Sequence, residues 1–498
     1  MDTELAYSRP QKAAEQLGEL AEDRHRFLDK TILLTGEPEL LAFPNGRECF
    51  LDSIRLAVRI CPNVAVYLSK ENDALRAEAE VLADRIAFGK KVEFLHELPN
   101  LSQFDSILSI GTKGHADLPW TTINSNGFLV RVTSGPADIS GPCNLYNPIG
   151  ALAAACLGIG QVFKRLIRLK AERGDMLNGF SFSLRTYAES ASDYGQSIPE
   201  KLPHDLLVVG AGAIGNGIIH LISRLPFMGT ITVVDRELFS EENLGTCMLI
   251  STEELQKPKA VCLATILTKC GITADGFVGT FERYARELQH FPKLVLNGLD
   301  NIDVRHEVQR TLWPNVVIDG AIGDFMCQVS RHPWPDDIAC LICLFQQPPG
   351  RPAEDIQSEA SGLSKTRLKQ PDSVVTEADV ESAPEENREA LKSKLGHPVC
   401  SVVQQAVAKM ISSEELDHDF EPSVPFVACF SACMVMAETI AYLCGWESKL
   451  EPRFQFDFLL GPASGLDLPQ ARRQNCVCGR RTNIDKLRAS HGLSNDFS

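Results

Sequence analysis

The feature that most constrains the fold is the stretch of residues 206–260, which reads LLVVGAGAIGNGIIHLISRLPFMGTITVVDRELFSEENLGTCMLISTEELQKPKA. Its first four residues form an apolar run that is too short for a helix and predicts a strand. Gly210, Gly212 and Gly215 follow in G-x-G-x-x-G spacing, and a helix is predicted over residues 213–223. Glycines let the backbone turn tightly and approach a phosphate, whose charge then faces the helix N-terminus. The spacing therefore predicts a nucleotide site.

A second strand, predicted over residues 230–234, ends in the acidic pair Asp235 and Glu237. An acidic side chain at this distance, roughly 20 residues past the glycines, can bind ribose hydroxyls. The glycines and the acidic pair alone also fit an NAD-dependent oxidoreductase, because such enzymes share this fold and spacing.

Three residues farther along favour phosphate chemistry over hydride transfer. Asn243 follows the acidic pair, Lys259 opens the next predicted helix, and Asp300 ends a later predicted strand. An amide and a cation that converge on phosphates, with a carboxylate that binds Mg²⁺, suit phosphoryl or adenylyl transfer from ATP.

In these motifs the chain resembles the ubiquitin-activating-enzyme superfamily, the ThiF and MoeB type adenylyltransferases. The superfamily pattern reads G-x-G-x-x-G, D-x-D, S-N-L-x-R, G-x-x-K-A and D-N, and the resemblance covers about residues 206–345 and resumes near the C-terminus. It implies an α/β fold, with a Rossmann-like adenylation domain paired with a degenerate Rossmann-like N-terminal domain.

The resemblance also implies roles for individual residues. Glu237 stands where the family binds ribose, Asn243 and Lys259 where it binds phosphate, and Asp300 where it holds Mg²⁺. Thr246 departs from the pattern, because the family has an arginine there. One phosphate contact is therefore missing or comes from elsewhere.

Composition limits the class of protein. The 498 residues allow two or three domains, and 44% hydrophobic residues is ordinary for globular chains. We expect no membrane span and no signal peptide, and hence a soluble cytoplasmic protein. A formal charge of -16 argues against a nucleic-acid partner. Most of the 16 cysteines, such as Cys156, Cys262 and Cys270, lie singly in apolar segments and are expected to be buried.

The N-terminal part reads as a second α/β unit that lacks a glycine fingerprint. Larger enzymes of the superfamily pair an active adenylation domain with an inactive copy, and smaller ones form homodimers, so the chain is expected to be a pseudo-dimer or a homodimer. An unrelated α/β domain is the alternative. Arg9, in Tyr7-Ser8-Arg9, is either an ATP-phosphate ligand like a similar arginine of the family or an ordinary surface arginine.

Two cysteine pairs predict a structural metal site. Cys340 and Cys343 form a C-x-x-C motif, and Cys476 and Cys478 form a C-x-C motif near the C-terminus. Four thiolates from two turns suit a tetrahedral Zn²⁺ site that would tie the tail to the domain. Free thiols or an empty site are the alternatives.

Cys400 is the candidate nucleophile. The sequence His-Pro-Val-Cys-Ser-Val around it resembles the environment of the catalytic cysteine in ubiquitin-like activating enzymes. A thiol at the start of a helix, predicted here over residues 401–411, has its pKa lowered by the helix dipole. A small buried core residue is the alternative reading.

The predicted function is ATP-dependent adenylation of the C-terminus of a ubiquitin-like protein, then a thioester on Cys400 for transfer to a conjugating enzyme. The layout also resembles bacterial antiviral conjugation systems of the Bil type. The alternatives are a sulfur-transfer adenylyltransferase without a thioester, an NAD-dependent oxidoreductase, and a binding protein with a dead site.

The expected domains are an inactive adenylation-like domain (1–170), a connector (171–205), an active adenylation domain (206–345), a mobile loop with the catalytic cysteine (346–424), and a C-terminal segment of helix, strand and zinc-binding tail (425–498).

Overall fold

The structure is a computed structural model that describes residues 3–19, 27–288, 293–299, 301–312, 316–323, 325–333, 338–345, 353–370, 373–397, 399, 402, 403, 406, 424–448, 450, 453–461, 472, 473, 476 and 478. The chain forms two compact units. The large unit comprises residues 1–345 and 422–498, and the small unit comprises residues 346–421.

The N-terminal half of the large unit is built on eight strands: β1 Thr31–Gly36, β2 Asn63–Tyr67, β3 Glu93–Leu95, β4 Ser106–Ile110, β5 Trp120–Asn126, β6 Leu129–Thr133, β7 Phe180–Ser183 and β8 Ala188–Glu189. They form one sheet in the order β3-β2-β1-β4-β5-β6-β7-β8. The first five strands of this order are parallel, and β6, β7 and β8 each run antiparallel to the preceding neighbour.

The C-terminal half of the large unit is built on seven strands: β9 Leu206–Val209, β10 Ile231–Asp235, β11 Ala274–Val278, β12 Leu294–Asn297, β13 Val316–Gly323, β14 Met326–Pro333 and β15 Arg453–Asp457. Their order is β11-β10-β9-β12-β13-β14-β15, with five parallel strands followed by two antiparallel ones. Counted from its own first strand, each half therefore has the order 3-2-1-4-5-6-7, and the N-terminal sheet adds β8 as an eighth strand. This repeated topology confirms the predicted α/β fold of two paired Rossmann-like halves.

Three long helices of the large unit begin with proline, whose fixed φ and missing N–H suit the first turn of a helix. The helices of the large unit are Thr3–Ala6, Ser8–Leu17, Pro38–Leu41, Pro44–Ile60, Asp73–Ile86, Pro148–Leu166, Ala213–Arg224, Glu241–Leu244, Lys259–Lys269, Phe281–Glu287, Ile302–Leu312, Leu341–Leu344 and Pro425–Leu443.

Two of these helices, Pro148–Leu166 and Pro425–Leu443, are long and apolar enough to cross a membrane, so the expectation that no apolar run reaches that length was wrong. Alanine and glycine make up much of the first helix, and Ser431, Glu438 and Thr439 interrupt the apolar residues of the second, so neither helix reads as an unbroken run of large apolar residues. Both helices are core elements, because 94% and 89% of their apolar windows are buried inside the protein. Helix Pro425–Leu443 packs against Pro148–Leu166, against Ala213–Arg224 and against strands β13 and β14.

The sheet of the N-terminal half continues into the segment that was expected to be only a connector. Strands β7 and β8 both lie within residues 171–205, and β7 pairs with β6 along four residues. Strands β1 and β5 are weakly marked in the sequence, because their threonine, serine and asparagine residues interrupt the apolar runs that mark a buried strand.

The small unit contains four described helices: Ala353–Ser361, Lys365–Leu368, Glu377–Ser382 and Glu385–Lys392. The sequence predicted a mobile loop with one helix here. The structure instead gives the small unit its own core, formed by Leu363, Val375, Ala383, Leu391, Val399, Val402 and Val403. These residues are dispersed among many charged ones, which is why the average composition concealed them.

Candidate active site

The glycine turn connects β9 to helix Ala213–Arg224 as predicted. Gly210 has a φ of +93°, which an L side chain rarely adopts, and a Cβ on Gly215 would lie 2.0 Å from the carbonyl oxygen of Gly210. At Gly212, by contrast, no heavy atom of the described residues lies within 4 Å of an ideal Cβ. The turn therefore needs glycine at its two ends and has open space at its middle, where a ligand can approach the backbone.

Asp235 fixes the shape of this turn. Its Oδ2 accepts a 2.7 Å hydrogen bond from the amide of Ala211, and its Oδ1 accepts a 2.7 Å hydrogen bond from the amide of Glu237. Burial raises the pKa of Asp235 above its ordinary value, although these two amide donors act in the opposite direction. The carboxylate that the sequence nominated as a nucleotide ligand thus joins the glycine turn to the segment after β10.

Glu237 and Lys259 form an ion pair beside the turn. Lys259 Nζ donates a 2.7 Å hydrogen bond to Glu237 Oε2, and the Lys259 amide donates to the Glu237 carbonyl at 2.9 Å. Burial alone would lower the pKa of Lys259, but the Glu237 carboxylate raises it overall. Burial alone would raise the pKa of Glu237, but the ammonium lowers it overall. Both groups are therefore charged at neutral pH.

Asn243 belongs to the short helix Glu241–Leu244. Its side-chain oxygen accepts a 2.9 Å hydrogen bond from the amide of Ser240, which completes a capping box at the helix start. The backbone amide of Asn243 donates to the carbonyl of Ser240, but its side-chain nitrogen has no hydrogen-bond partner among the described residues, so this donor is available to a ligand. Thr246 is 4% exposed, and its hydroxyl is 3.5 Å from the Asn243 carbonyl. Thr246, which stands at the position of the family arginine, therefore lies in the protein interior.

Asp300 lies outside the described residues, but the structure on either side of it is defined. Arg305 donates hydrogen bonds to the carbonyls of Leu299 and Gly320 and lies 3.2 Å from Asp319 Oδ1 in a buried ion pair. Burial raises the pKa of Asp319 to about 6. Arg305 is therefore buried and supports the backbone at Leu299, directly before Asp300.

The N-terminal helices reach the segment that carries Asn243. Arg9 lies 3.5 Å from the carboxylate of Glu242. A Cβ on Gly245 would lie 2.1 Å from the carbonyl oxygen of Ala6, so the first helix packs directly on this segment. Arg9 is therefore next to the predicted phosphate site, on a different part of the chain from the other candidates.

The structure brings together the four cysteines that the sequence nominated as metal ligands. The sulfur of Cys340 is 3.8 Å from that of Cys343 and 3.7 Å from that of Cys476, and the sulfurs of Cys343 and Cys478 are 3.5 Å apart. All four sulfurs lie within 4.8 Å of one another. A tetrahedron with metal–sulfur bonds of about 2.3 Å has edges of about 3.8 Å, so this cluster fits Zn²⁺.

Cys400 lies outside the described residues. On either side of it, Val399 and Val402 are buried in the core of the small unit. Among the other cysteines, Cys270 is exposed, contrary to expectation, because it follows the last turn of helix Lys259–Lys269.

Sequence reasoning missed Asn216, which is fully buried in the first turns of helix Ala213–Arg224. Its side-chain nitrogen donates to the carbonyls of Ala211 and Gly212 at 3.1 and 3.0 Å, so it fixes the backbone of the glycine turn. The available signal was a polar residue directly after the third glycine of the motif.

The glycine turn, Glu237 and Lys259 all lie at the carboxyl ends of parallel strands, beside the point where β9 has β10 on one side and β12 on the other. Ligands of doubly wound sheets bind in the crevice at such a switch point. Helix-start amides and an ammonium group there favour an anion such as a nucleotide phosphate.

Comparisons with known proteins agree with this geometry. The model of the ThiF family matches residues 193–478. The uncharacterized protein y4jF of Sinorhizobium fredii (strain NBRC 101917 / NGR234) is 24% identical over 467 residues, which cover 89% of this chain and 88% of that protein.

Two further proteins are similar to parts of the chain. The bacterial E1-like protein BilD of Collimonas sp. (strain OK412) is 24% identical over 280 residues, which cover 55% of this chain and 51% of BilD. The crystal structure of E. coli MccB aligns with 72% of this chain and 95% of its own, at a TM-score of 0.37 and 13% identity.

Proposed function

Because this chain belongs to the ThiF family, we propose that it is an activating enzyme that adenylates the C-terminal carboxylate of a ubiquitin-like protein with ATP. The observation that carries the proposal is the connected set of the glycine turn, Asp235, Glu237 and Lys259 at the switch point of the sheet. The similarity to an E1-like protein supports a ubiquitin-like partner.

In the proposed first step, a carboxylate oxygen of the partner attacks the α-phosphorus of ATP. The bond from that phosphorus to the bridging oxygen breaks, and pyrophosphate leaves with the bonding electrons. Lys259, the side-chain nitrogen of Asn243 and the glycine-turn amides stabilise the charge on the phosphates. Arg9 is positioned to contribute a further cation, since it lies beside Glu242. Mg²⁺ held by Asp300 would neutralise phosphate charge.

In the proposed second step, the Cys400 thiolate attacks the carbonyl carbon of the acyl-adenylate. The bond from carbon to the phosphate oxygen breaks, AMP leaves, and a thioester remains that a conjugating enzyme can accept on its own cysteine. The proposal further assigns Zn²⁺ to the four-cysteine cluster as a structural ion, and the cytoplasm, where thiols stay reduced, as the compartment.

The experiment combines ATP, labelled pyrophosphate and candidate ubiquitin-like proteins with the wild-type chain and two variants. Lys259→Ala is expected to abolish pyrophosphate exchange. Cys400→Ala is expected to retain exchange and to lose a covalent adduct that thiols cleave. Cys270→Ala, which removes an exposed cysteine, is the control and is expected to retain both activities.

The other outcomes identify the alternatives. If Cys400→Ala retains every downstream product, the enzyme is a sulfur-transfer type adenylyltransferase without a thioester step. If the wild-type chain binds NAD and catalyses no exchange, the oxidoreductase reading replaces the proposal. If it catalyses no exchange and binds neither nucleotide, the chain is a binding protein.

A further inference from the structure

Arg59 connects the two halves of the large unit. It lies in the last turn of helix Pro44–Ile60, in the N-terminal half, and is fully buried. Its Nε donates to the carbonyl of Cys247 at 2.8 Å, and its Nη2 donates to the carbonyl of Ile250 at 2.7 Å. Both acceptors belong to the C-terminal half, whereas Nη1 donates to Arg55 in its own helix at 3.1 Å.

A guanidinium in this position is costly, because charged side chains are rarely buried unless they are paired. Among the described residues, no carboxylate lies within ion-pair distance of Arg59, and burial lowers its pKa to about 10. What compensates the charge is a set of backbone carbonyls. The planar fork of arginine donates to two of them at once, which the single ammonium of lysine does with much poorer geometry.

The two residues that Arg59 holds, Cys247 and Ile250, closely follow Asn243, which is the predicted phosphate ligand. The amide of Cys247 donates to the carbonyl of Asn243 at 2.8 Å, so Cys247 closes the turn that presents Asn243. In addition, the first helix of the N-terminal half packs on Gly245 through Ala6. The N-terminal half therefore contacts this segment at two places.

The same segment is connected to the glycine turn. The amide of Leu249 donates to the side-chain oxygen of Asn216 at 3.4 Å. Asn216 in turn donates from its nitrogen to the carbonyls of Ala211 and Gly212. A continuous series of hydrogen bonds thus runs from Arg59, through residues 247–250 and Asn216, to the backbone that faces the predicted phosphates.

We infer that Arg59 is a positioning residue for ATP phosphates: from the half that lacks a glycine fingerprint, it holds residues 247–250, and through Asn216 the glycine turn, in the phosphate-binding arrangement. This inference rests on the proposed function. It assigns the N-terminal half a part in building the nucleotide site of the other half. Because Arg59 acts through backbone that faces phosphate, its loss weakens binding of the triphosphate and leaves binding of the nucleoside unchanged.

The test measures dissociation constants of the full chain for MgATP and for adenosine by competition against a fluorescent ATP analogue. Arg59→Lys is expected to weaken MgATP binding about tenfold, the equivalent of one or two hydrogen bonds. Its affinity for adenosine is expected to stay within about twofold, because the series ends at the backbone that the inference assigns to the phosphates.

The matched control is Arg165→Lys. Arg165 is another largely buried arginine of the N-terminal half, and it donates to Ser106, Trp120 and Thr121 of its own half. Burial lowers its pKa to about 10 as well. Arg165→Lys is expected to change thermal stability and to leave the ratio of the two affinities at the wild-type value.

A second variant keeps the inference testable if Arg59→Lys fails to fold. Asn216→Ser removes the next member of the series and is expected to produce the same selective loss of MgATP affinity. The inference is wrong if folded Arg59→Lys keeps the wild-type ratio of MgATP affinity to adenosine affinity. If Arg59→Lys does not fold, the same result for Asn216→Ser refutes it. A wild-type chain that binds no MgATP is a different result, which refutes the proposed function itself.

Discussion

Lys259 Nζ donates a 2.7 Å hydrogen bond to Glu237 Oε2, but the two side chains differ in exposure. The lysine side chain is 7% exposed and the glutamate side chain is 51% exposed. The ammonium is thus enclosed by protein, while its partner reaches solvent. Under the proposed function, a phosphate that enters beside the glycine turn would meet a cation that this ion pair already holds in place. Such preorganisation costs no rearrangement when the charge of the transition state develops.

Lys259→Met is expected to reduce pyrophosphate exchange by about 10²–10³-fold, the usual effect of removing one preorganised donor. The melting temperature is expected to change little, because an ion pair with one half-exposed partner contributes only about 0–1 kcal/mol. Lys257→Met is the control, since Lys257 is exposed and lies directly before Pro258 and Lys259 in the sequence. Exchange within about tenfold of wild type in Lys259→Met would contradict the role given to this lysine.

Asp235→Asn is expected to destabilise the chain by about 1–3 kcal/mol, because an asparagine has one acceptor oxygen and leaves an amide of the turn unpaired. Urea unfolding measures this loss. Asp205→Asn is the control, since Asp205 accepts from the single amide of Thr230 at 2.7 Å and the asparagine oxygen can replace it. Equal destabilisation by the two substitutions would mean that Asp235 does not fix the turn.

His220 and Asp52 give the contact between the halves a dependence on pH. His220 Nε2 lies 2.9 Å from Asp52 Oδ1, and each side chain is 2% exposed. Burial lowers the pKa of His220 below its ordinary 6.5, and Arg55 and Arg224 add to this shift while Asp52 opposes it.

The unfolded chain therefore binds a proton at His220 near pH 6.5, and the folded chain binds it only at lower pH. The contribution of His220 to the free energy of unfolding is fully present above pH 6.5. Below pH 6.5 this contribution decreases, by at most about 1.4 kcal/mol per pH unit. We expect urea unfolding between about pH 7.5 and about pH 5.5 to show a smaller loss in His220→Asn than in wild type. His204→Asn, at a half-buried histidine, is expected to follow wild type. Identical pH slopes for wild type and His220→Asn would refute this prediction.

Metal analysis of the purified chain is expected to find one Zn²⁺ per molecule, because four sulfurs at tetrahedral spacing leave room for one ion. Chelation, or Cys343→Ser, is expected to release it and to lower the melting temperature, since binding of a structural metal stabilises the folded state. Cys270→Ser is expected to retain the ion. If the melting temperature is the same with and without zinc, the cluster is a group of buried thiols that holds no structural metal.

The sequence predicted best where a local motif determines the geometry. The strand Leu206–Val209 and the glycine turn were predicted with the bounds that the structure has, because an apolar run followed by spaced glycines allows few conformations. The four cysteines were also nominated together, because thiol pairs at two- and three-residue spacing suit turns that carry a metal.

The sequence predicted least where a residue acts through distant partners. Arg59 donates to carbonyls that lie 188 and 191 residues along the chain, and nothing next to it in sequence indicates those acceptors. The burial of Arg305 was equally hidden, because Arg305 lies on helix Ile302–Leu312 and its partner Asp319 lies on strand β13. The core of the small unit was missed because its apolar residues are separated by charged ones.

The position of helix Pro425–Leu443 has a consequence for biosynthesis. Strands β1–β8 leave the ribosome early, yet the helix against which both halves pack is translated only after the whole small unit. A chain that stops at residue 421 would leave uncovered the apolar surfaces that this helix buries on both halves, and such surfaces aggregate. Completion of the fold therefore waits for synthesis of this helix, and a nonsense mutation before residue 425 should yield insoluble product.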